Sequence, residues 1–537
     1  MKQGITALLL SDIRAPFDLP EGEILKIAKT KMKHLCDTRA GLHFRLYKKS
    51  FDARHKDSIL QVCSVLVSFD EPRFFDAQAL ARVGARAFGE EKPEIKIGTQ
   101  KMAAPPLVVG MGPAGLFAAL LLAEQGYAPV IIDRGDDVDT RAVATERFCR
   151  EGVLDTESNI QFGAGGAGTF SDGKLVTRVN DPLCNYILSR LMEFGAPEEI
   201  ATRAKPHVGT DILRRVVAAI LARIEALGGR VLYRTKLLDY RLTDGGVCAL
   251  TSRGEIMAGT VVLALGHSAR DSFEMLFSHP LTLAPKPFSV GVRIEHLRED
   301  IDRALYGAQA GHPALGPAEY ALSDTKGERG VYTFCMCPGG EVVTAASEEG
   351  GVVTNGMSYH ARAGVNSNAA VLVSVTPADV GGKITDAIAF QRGLEQAAFR
   401  AGGGNYQAPV ETVGDFLGGF AATAPTRVRP TYGGGRVRVT DLTAVLPPFV
   451  VGTLQRGLAS FEKKITGFAA PDAVLTAVES RTSAPLRILR SEARTAIGED
   501  LIYPAGEGAG YAGGITSAAL DGLHAALAII ARFSPCK

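Results

Sequence analysis

One short segment carries the strongest chemical signal in the chain, Gly110-Met111-Gly112-Pro113-Ala114-Gly115. It follows the apolar run Leu107 to Val109 and opens a helical pattern from Leu116 to Gln125. A second apolar run, Val130 to Ile132, then ends in Asp133. Strand, glycine turn, helix, strand and acid in this order are typical of a dinucleotide-binding βαβ unit. The alternative is an ordinary α/β unit with a glycine-rich turn.

The glycines and the acid have different expected tasks in such a unit. Gly110 permits the tight turn, Gly112 lets backbone N–H groups approach a pyrophosphate, and Gly115 lets the helix pack closely on the strand. The helix N-terminus presents unpaired N–H groups and a partial positive charge to phosphates. Asp133 can accept hydrogen bonds from ribose hydroxyls. The segment therefore predicts a bound nucleotide.

Three further glycine-rich segments lie where a flavin enzyme would need them. The first, Gln161 to Leu175, favours a backbone cradle over a flexible surface loop, because apolar side chains punctuate it. The second, Leu265 to Ser268, ends a strand at the carboxyl edge of the same sheet, where ligands bind in open α/β sheets. The third, Ala505 to Ile515, joins a strand to the last helix. That helix, beginning near Gly514, can point its positive end at the N1/C2=O locus of a flavin.

These motifs, with the segments APKPFSVGVRIEH, FCMCPGG and EEGGVVTNGM, resemble a group of bacterial FAD-dependent dehydrogenases, largely without an assigned substrate. More distantly, they resemble the single-Rossmann flavoproteins that include aromatic hydroxylases and geranylgeranyl reductases. The resemblance covers nearly the whole chain and implies bound FAD, a two-domain flavoprotein core and an appended N-terminal domain. Glu507 stands where the usual flavoprotein pattern has Asp near the final glycine turn.

Motif matching and the glycine segments together give a set of residues expected to bind the cofactor. The set is Gly110, Gly112, Pro113, Ala114, Gly115, Asp133, Arg134, Gly165, Gly166, Thr169, Ser171, Asp172, Val231, Gly266, Gly506, Glu507, Gly513, Gly514 and Ile515.

The expected fold class is α/β, with an FAD-binding Rossmann-like domain of the glutathione-reductase type. This domain is expected over residues 104–285, with a C-terminal return over 491–537. Residues 286–490 are expected to form a mixed α+β substrate or lid domain. A βαββαβ order predicts a ferredoxin-like α+β domain over residues 1–98, with a second helix from Ala77 to Phe88 and a last strand from Glu94 to Ile97.

Composition excludes some classes of partner. The formal net charge of +1 and a charged fraction of 22% are ordinary for a globular enzyme and argue against nucleic acid as the main partner. The basic residues from Arg45 to Lys56 favour a solvated hairpin over a docking surface for RNA or an acidic partner. The run Ile5 to Leu10 is too short for a signal peptide, and the sequence predicts a cytoplasmic protein with no membrane span.

Other polar residues are weaker candidates. His267, Arg293 and His296 are candidate acid–base or substrate groups, although the expectation for Arg293, which shares a strand face with Glu295, is a surface ion pair. Arg481 with Arg487 would clamp a substrate carboxylate or cap local carbonyls. Cys335 and Cys337 are expected to be buried structural cysteines. No catalytic base and no metal site are assigned.

No second complete nucleotide fingerprint follows residue 135, so NAD(P)H would dock transiently or the substrate itself would supply the hydride. The sequence predicts an FAD-dependent oxidoreductase that uses hydride transfer at flavin N5 on an unidentified small organic substrate. The alternative is a flavoprotein with structural or sensory FAD whose N-terminal domain binds a protein or RNA partner. The sequence does not determine the oligomeric state.

Overall fold

The structure, a computed structural model, describes residues 4–38, 41–89 and 91–536. Residues 1–3, 39, 40 and 90 of the predicted 1–98 domain, and residue 537 of the predicted 491–537 segment, lie outside the described residues. The N-terminal part has these elements: β1 (Ile5–Pro16), α1 (Glu21–Met32), β2 (Leu42–Asp52), β3 (Leu60–Arg73), α2 (Ala77–Val83), β4 (Ala85–Ala87) and, beyond it, β5 (Gln100–Lys101).

Strands β1 to β4 form one sheet in the order β2-β3-β1-β4, and each neighbouring pair is antiparallel. Helix α1 buries Ile24, Ala28 and Met32, which recur at the helical spacing of four residues. An apolar core of its own therefore lies between this helix and the sheet.

Two predictions in this part were wrong. The helix predicted to reach Phe88 ends at Val83, because Gly84 adopts the left-handed conformation (φ 70°) and caps it. The chain then forms β4, which pairs with β1, so the last strand lies at Ala85–Ala87 and not at Glu94 to Ile97.

The next part of the chain, with its C-terminal return, builds a parallel sheet. Its elements are β6 (Leu107–Val109), α3 (Pro113–Glu124), β7 (Val130–Ile132), α4 (Val138–Glu151), α5 (Cys184–Glu193), α6 (Thr210–Ala226), β8 (Arg230–Leu232), β9 (Leu237–Thr243), β10 (Gly246–Thr251), β11 (Gly254–Ala258), β12 (Val261–Leu263), α7 (Arg270–Leu276) and β13 (Leu283–Pro285).

The elements of the segment after β13 are β14 (Phe288–Leu297), α8 (Arg298–Tyr306), β15 (Ser323–Asp324), β16 (Val331–Cys337), β17 (Glu341–Thr344), β18 (Thr354–Met357), β19 (Asn366–Val375), α9 (Ile384–Ala401), β20 (Ala408–Thr412), α10 (Val413–Gly418), β21 (Val437–Val439), α11 (Pro448–Glu462), β22 (Val474–Glu479) and β23 (Leu486–Ile488). The chain ends with β24 (Ile502–Pro504), α12 (Ile515–Arg532) and β25 (Phe533–Ser534). Short 3₁₀ turns lie at Ala167–Phe170, Glu198–Ala201, Gly307–Gln309, Pro377–Val380, Tyr432–Gly434 and Leu442–Ala444.

The parallel sheet has the order β24-β12-β6-β7-β8, with strands β9 to β11 forming a separate antiparallel meander. Strands β6, β7, β12 and β24 are buried at every position, as expected for short parallel strands covered on both faces. Strand β24 follows β12 in space although 238 residues separate Leu263 from Ile502 in the chain, so the C-terminal return completes the sheet.

A seven-stranded sheet, β15-β16-β19-β14-β22-β20-β21, dominates the segment between residues 286 and 490, here called the lid segment. Its central strands β14 and β19 pair over ten residues and are almost wholly buried. The short antiparallel ladder of β13 and β23 joins the lid segment to the parallel sheet.

Among the described residues, one helix, α12, is long and apolar enough to cross a membrane. Within this protein, however, 72% of it is buried, and it packs so closely on α3 that a Cβ on Gly522 would lie 1.9 Å from the Ala114 carbonyl oxygen.

Candidate functional site

A cavity of about 730 Å³ lies at the carboxyl ends of β6, β7, β12 and β24 and extends beneath the lid segment. This is the edge at which open α/β sheets bind ligands, because loops that leave neighbouring parallel strands meet there. Most of the residues predicted to bind a cofactor line the cavity, although they come from segments hundreds of residues apart. Those that line it are Gly110, Gly112, Pro113, Ala114, Asp133, Arg134, Gly166, Ser171, Asp172, Gly266, Gly506, Glu507, Gly513, Gly514 and Ile515.

Three predicted residues support the cavity from behind its surface. Gly115 lies where a Cβ would be 1.8 Å from the Gly110 carbonyl oxygen, so only glycine lets α3 pack against the turn. A Cβ on Gly165 would likewise lie 1.9 Å from Thr169 Oγ1. Thr169 is buried beneath the same loop, and its carbonyl oxygen accepts a hydrogen bond from Thr210 Oγ1 at 2.6 Å.

Val231 is the predicted residue that the structure does not bring to the cavity. It pairs with Ile131 within the strand ladder, and its side chain packs against the apolar core of the parallel sheet. Because the cavity opens beyond the carboxyl ends of the strands, the wall beside β8 is made instead by the residues that come after it, Thr235, Lys236 and Leu237.

Two helix N-termini reach the cavity. Helix α3 begins at Pro113 with Gly112 as its N-cap, and α12 begins at Ile515 with Gly514 as its N-cap. Neither N-cap has a side chain that bonds the first-turn N–H groups, so these donors and the positive helix ends are available to a ligand. A Cβ on Gly166 would lie 2.9 Å from the Gly112 Cα, which shows how closely the second loop approaches the first.

The acid after β7 is held in place by backbone donors. Asp133 Oδ2 accepts a hydrogen bond from the Met111 N–H and Oδ1 accepts one from the Gly135 N–H, both at 2.9 Å. The neighbouring Arg134 is neutralised, because it donates to Glu157 and also pairs with Asp271. The Asp133 carboxylate is therefore fixed across the glycine turn, and its remaining lone pairs lie at the cavity wall.

Asp172 is the centre of a buried charge cluster. Its carboxylate accepts hydrogen bonds from Lys174, Arg362 and Ser358, and Arg362 reaches on to Glu319 at 2.5 Å. Burial raises the pKa of Asp172, but the Lys174 and Arg362 charges outweigh it and hold the pKa at about 2. Asp172 is thus a permanent anion that anchors the Gln161 to Leu175 loop to the lid segment.

Glu507 and Lys286 face the cavity without forming an ion pair with each other or with another described residue. Burial raises the pKa of Glu507 to about 7, and the Lys286 charge opposes the rise only in part. Burial also lowers the pKa of Lys286. The Glu507 carboxyl group therefore titrates close to neutral pH, whereas Lys286 loses its proton more readily than a free lysine does.

The two candidate histidines lie in different places. His267 lines the cavity, and its Nδ1 lies 2.8 Å from Ser268 Oγ. Burial, followed by the charges of Arg481 and Arg270, lowers the pKa of His267 to about 3, so its imidazole is neutral at pH 7. His296 lies inside the lid segment, 2.6 Å from the Phe468 carbonyl oxygen, and does not reach the cavity.

The predicted surface ion pair of Arg293 with Glu295 was wrong, because β14 is a central strand and both side chains are fully buried. Arg293 Nε donates instead to Glu479 at 2.9 Å, and its terminal nitrogens reach Asn355 and the Cys335 carbonyl oxygen. Three of these partners, Glu479, Asn355 and Cys335, line the cavity, so Arg293 positions one part of its lid wall.

The cysteine pair is not uniformly buried. Cys337 is buried as expected, whereas Cys335 is half-buried, lines the cavity and has a φ of 43°, in the left-handed region. Both thiols are free, and Cys337 Sγ donates to the Cys335 carbonyl oxygen at 3.3 Å. The influence of each thiol on the other lowers the pKa of Cys335 and raises that of Cys337. The expectation of two buried structural cysteines is therefore wrong for Cys335.

Sequence reasoning missed the residues on the lid side of the cavity, among them Lys286, Asn355 and Glu479. Lys286 lies in the segment APKPFSVGVRIEH and Asn355 in EEGGVVTNGM. Both segments carry the family resemblance, and that could have marked these two residues as candidates. Glu479 lies outside every such segment and gave no signal of its own.

The part of the chain that the structure describes has a mixed α/β fold. Residues 287–482 match the family model described as "FAD-dependent protein, C-terminal domain-like". The chain belongs to the same family as a Clostridium beijerinckii protein described as "Uncharacterized protein". The two are 46% identical over 496 residues, which is 91% of this chain and 92% of the relative.

Solved structures show weaker similarity. The halogenase PltM is 12% identical, with coverage of 79% of this chain and 67% of that one and a TM-score of 0.36. CtdE in complex with FAD is 11% identical, with coverage of 80% and 84% and a TM-score of 0.32. The amino acid oxidase NikD is 14% identical, with coverage of 80% and 94% and a TM-score of 0.32. These TM-scores are too low to establish a shared fold.

Proposed function

We propose that this protein is an FAD-dependent oxidoreductase that acts on a small organic substrate. The observation that carries the proposal is the convergence of two glycine-capped helix N-termini, those of α3 and α12, on one cavity. Unpaired N–H donors and positive helix ends are the features that bind phosphates and stabilise negative charge on a reduced flavin. The family match over residues 287–482 supports the same cofactor.

The residues around the cavity fit the cofactor. Gly112 and Gly166 present bare backbone to the cavity, so the N-terminus of α3 would hold the pyrophosphate, and Asp133 would hold the adenosine ribose. Glu507 and the N-terminus of α12 would border the ribityl chain and the ring system. When bound, FAD accepts and donates hydride at N5. The order of the parallel sheet, together with its antiparallel meander, supports an FAD-binding domain of the glutathione-reductase type. The strand order β2-β3-β1-β4 supports a ferredoxin-like N-terminal domain.

The chain itself would orient the substrate and exclude water. The lid segment closes the cavity with Tyr332, Phe334 and Asn355, and neutral His267 offers a hydrogen-bonding group that carries no charge at pH 7. The hydride would come from NAD(P)H that docks transiently or from the substrate itself. We also propose four domain limits: an N-terminal domain over 1–98, an FAD-binding domain over 104–285 with its return over 491–537, and the lid segment over 286–490. The proposed location is the cytoplasm.

Purification without added cofactor tests the proposal directly. We expect a yellow protein that releases FAD on denaturation and whose flavin band bleaches without oxygen when NADH, NADPH or one member of a metabolite panel is added. A colourless protein that takes up no added FAD would overturn it. A yellow protein that no reductant bleaches, and that copurifies with RNA or a fixed partner, would favour a structural or sensory flavin.

A single substitution separates cofactor binding from folding. Gly112 has an ordinary φ of −71°, and the nearest atom to its hypothetical Cβ, the Gly166 Cα, is 3.9 Å away. Gly112→Val should therefore change the free energy of unfolding by no more than about 1 kcal/mol. It should nevertheless weaken FAD binding about a hundredfold, because the side chain occupies the expected phosphate position.

The control is Gly452→Val, on the exposed side of α11, where a Cβ would meet nothing within 4 Å. Titration of both variants with FAD, followed by flavin fluorescence, gives the two affinities. Unchanged affinity in the Gly112 variant would rule out this phosphate site.

A further inference from the structure

Six Lys and Arg side chains line the cavity, and they fall into two groups. Four are neutralised by carboxylates within the protein: Arg134 by Glu157 and Asp271, Lys174 by Asp172, Lys236 by Glu157 and Asp271, and Arg481 by Glu395 and Glu348. The other two, Lys286 and Arg487, have no carboxylate within 4.0 Å among the residues that the structure describes.

These two cations lie side by side. Ala284 is paired with Arg487 across the β13–β23 ladder, and the Lys286 N–H donates to the Pro485 carbonyl oxygen at 2.9 Å, which extends the ladder by one residue. Because residues two apart in a strand point to the same face, Lys286 lies on the face of Ala284 and therefore on that of Arg487. Two neighbouring like charges on one face repel each other, and an anion between them removes that cost.

The Arg487 guanidinium is already oriented. Its Nε donates to the Gly510 carbonyl oxygen at 3.2 Å, and its Cζ lies 5.0 Å from the centre of the Tyr511 ring. Its two terminal nitrogens have no hydrogen-bond partner among the described residues, which leaves the pair of donors that binds oxyanions in a bidentate manner. This orientation lowers the entropy lost when an anion binds.

The residues around Lys286 and Arg487 indicate what the rest of the ligand is like. Phe334, with 48% of its surface exposed, lines the cavity together with Phe288 and Tyr332. An exposed aromatic ring that lies in a concave site beside other aromatic rings favours a ligand with an apolar body. Glu507 also faces the cavity near Lys286, but it balances the combined positive charge of Lys286 and Arg487 only in part.

We propose that Lys286 and Arg487 bind the oxyanion of the substrate, which is an organic acid with a carboxylate or phosphate group on an apolar body. The inference rests on the proposed function in assigning this anion to the substrate. The phosphates of the cofactor belong instead at the N-terminus of α3, as proposed above.

Benzoate and phenyl phosphate are suitable probes, and benzamide is the neutral counterpart. Each is titrated into the FAD-loaded protein, with the flavin difference spectrum and calorimetry as parallel readouts. Both anions or one of them should bind at least tenfold more tightly than benzamide, and the tighter of the two identifies the preferred group. Equal binding of all three would overturn the proposal.

Two variants locate the site. Lys286→Gln and Arg487→Gln should each weaken binding of the preferred anion about tenfold and leave benzamide binding unchanged, whereas Lys286→Arg should retain most of it. Arg241→Gln, which removes an exposed cation that is paired with Glu255 on the meander, should have no effect. Unchanged anion binding in both Gln variants would overturn the assignment.

FAD content separates this proposal from the proposed function. Variants that fold but lose FAD would show that the pair holds the cofactor's phosphates, which would overturn the substrate site. If the wild-type protein takes up no FAD, the proposed function fails, and calorimetry with benzoate and phenyl phosphate still tests the anion site alone.

Discussion

The floor and the lid wall of the cavity are built from different materials. The floor, formed by the segments Gly110 to Gly115 and Gly506 to Ile515, consists mainly of backbone and two helix N-termini. The lid wall consists of side chains such as Arg481 and Glu479, which buried ion pairs hold in position. Backbone donors require a local turn and small residues, whereas a buried charge requires a partner from elsewhere in the fold.

Because of this contrast, the two regions should respond to amino-acid substitutions in different ways. In the floor, substitutions act through space, because an added atom meets backbone or fills the ligand position. In the lid wall, substitutions act through charge, because the loss of one ion leaves its partner buried and unpaired. Three predictions test whether the two regions differ in this way.

The largest effect on stability is expected in the lid. Glu395 is 1% exposed and receives hydrogen bonds from both Arg270 and Arg481. Glu395→Gln should lower the free energy of unfolding by about 3 to 5 kcal/mol, because two guanidiniums lose their buried counter-ion. Urea unfolding measures the loss. Glu255→Gln, at an exposed pair with Arg241, is the control and should leave the urea midpoint nearly unchanged, because solvent screens an exposed pair. Equal losses in both variants would show that burial does not set the cost of losing a counter-ion in the lid wall.

A somewhat smaller loss is expected in the floor. In Gly115→Ala the new methyl group would lie 1.8 Å from the Gly110 carbonyl oxygen, so α3 must shift. The free energy of unfolding should fall by about 1 to 3 kcal/mol. Gly393→Ala, on the exposed side of α9 where nothing lies within 4 Å, should instead raise it by up to about 1 kcal/mol. Thermal unfolding of the two variants compares them, and shifts of the same sign would show that space does not limit position 115.

The smallest effect concerns the unpaired carboxyl group of the floor. The pKa of Glu507 is raised to about 7 in the folded protein, so the folded state favours the protonated form. Its contribution to stability is therefore present at low pH and declines as the pH rises from about 4.5 to about 7.

Relative to Glu507→Gln, which does not titrate, the flavin-free wild-type protein should lose about 1 to 2 kcal/mol between pH 5 and pH 8, since partial solvent exposure reduces the full linkage value. Urea unfolding at both pH values measures the difference. A constant difference between the two proteins would show that burial does not perturb Glu507.

Much of the floor could be predicted from the sequence because each of its parts is local. The turn at Gly110, the start of α3 at Pro113 and the start of α12 at Ile515 all lie within a few residues of where the glycine patterns place them.

The fourth N-terminal strand was predicted less well. The left-handed conformation of Gly84 decides whether the helix continues, and pairing with β1 decides that the residues after Gly84 form a strand.

The lid wall was not predictable in the same way. Arg293, interpreted as half of a surface ion pair, pairs with Glu479 across 186 positions of the chain, and no local pattern joins these two residues. Arg481 was a candidate for clamping a substrate, but Glu395 neutralises it, and the neighbouring Arg487 remains available with Lys286.

The sequence by itself determined the parallel βαβ unit, the glycine turns and the helix starts, because these depend on dihedral freedom and hydrophobic spacing within short segments. Only the tertiary structure decided which charges are neutralised and which face the cavity. A charge inside a protein is stabilised by whichever opposite charge the fold brings within a few ångströms, and that distance is independent of separation along the chain.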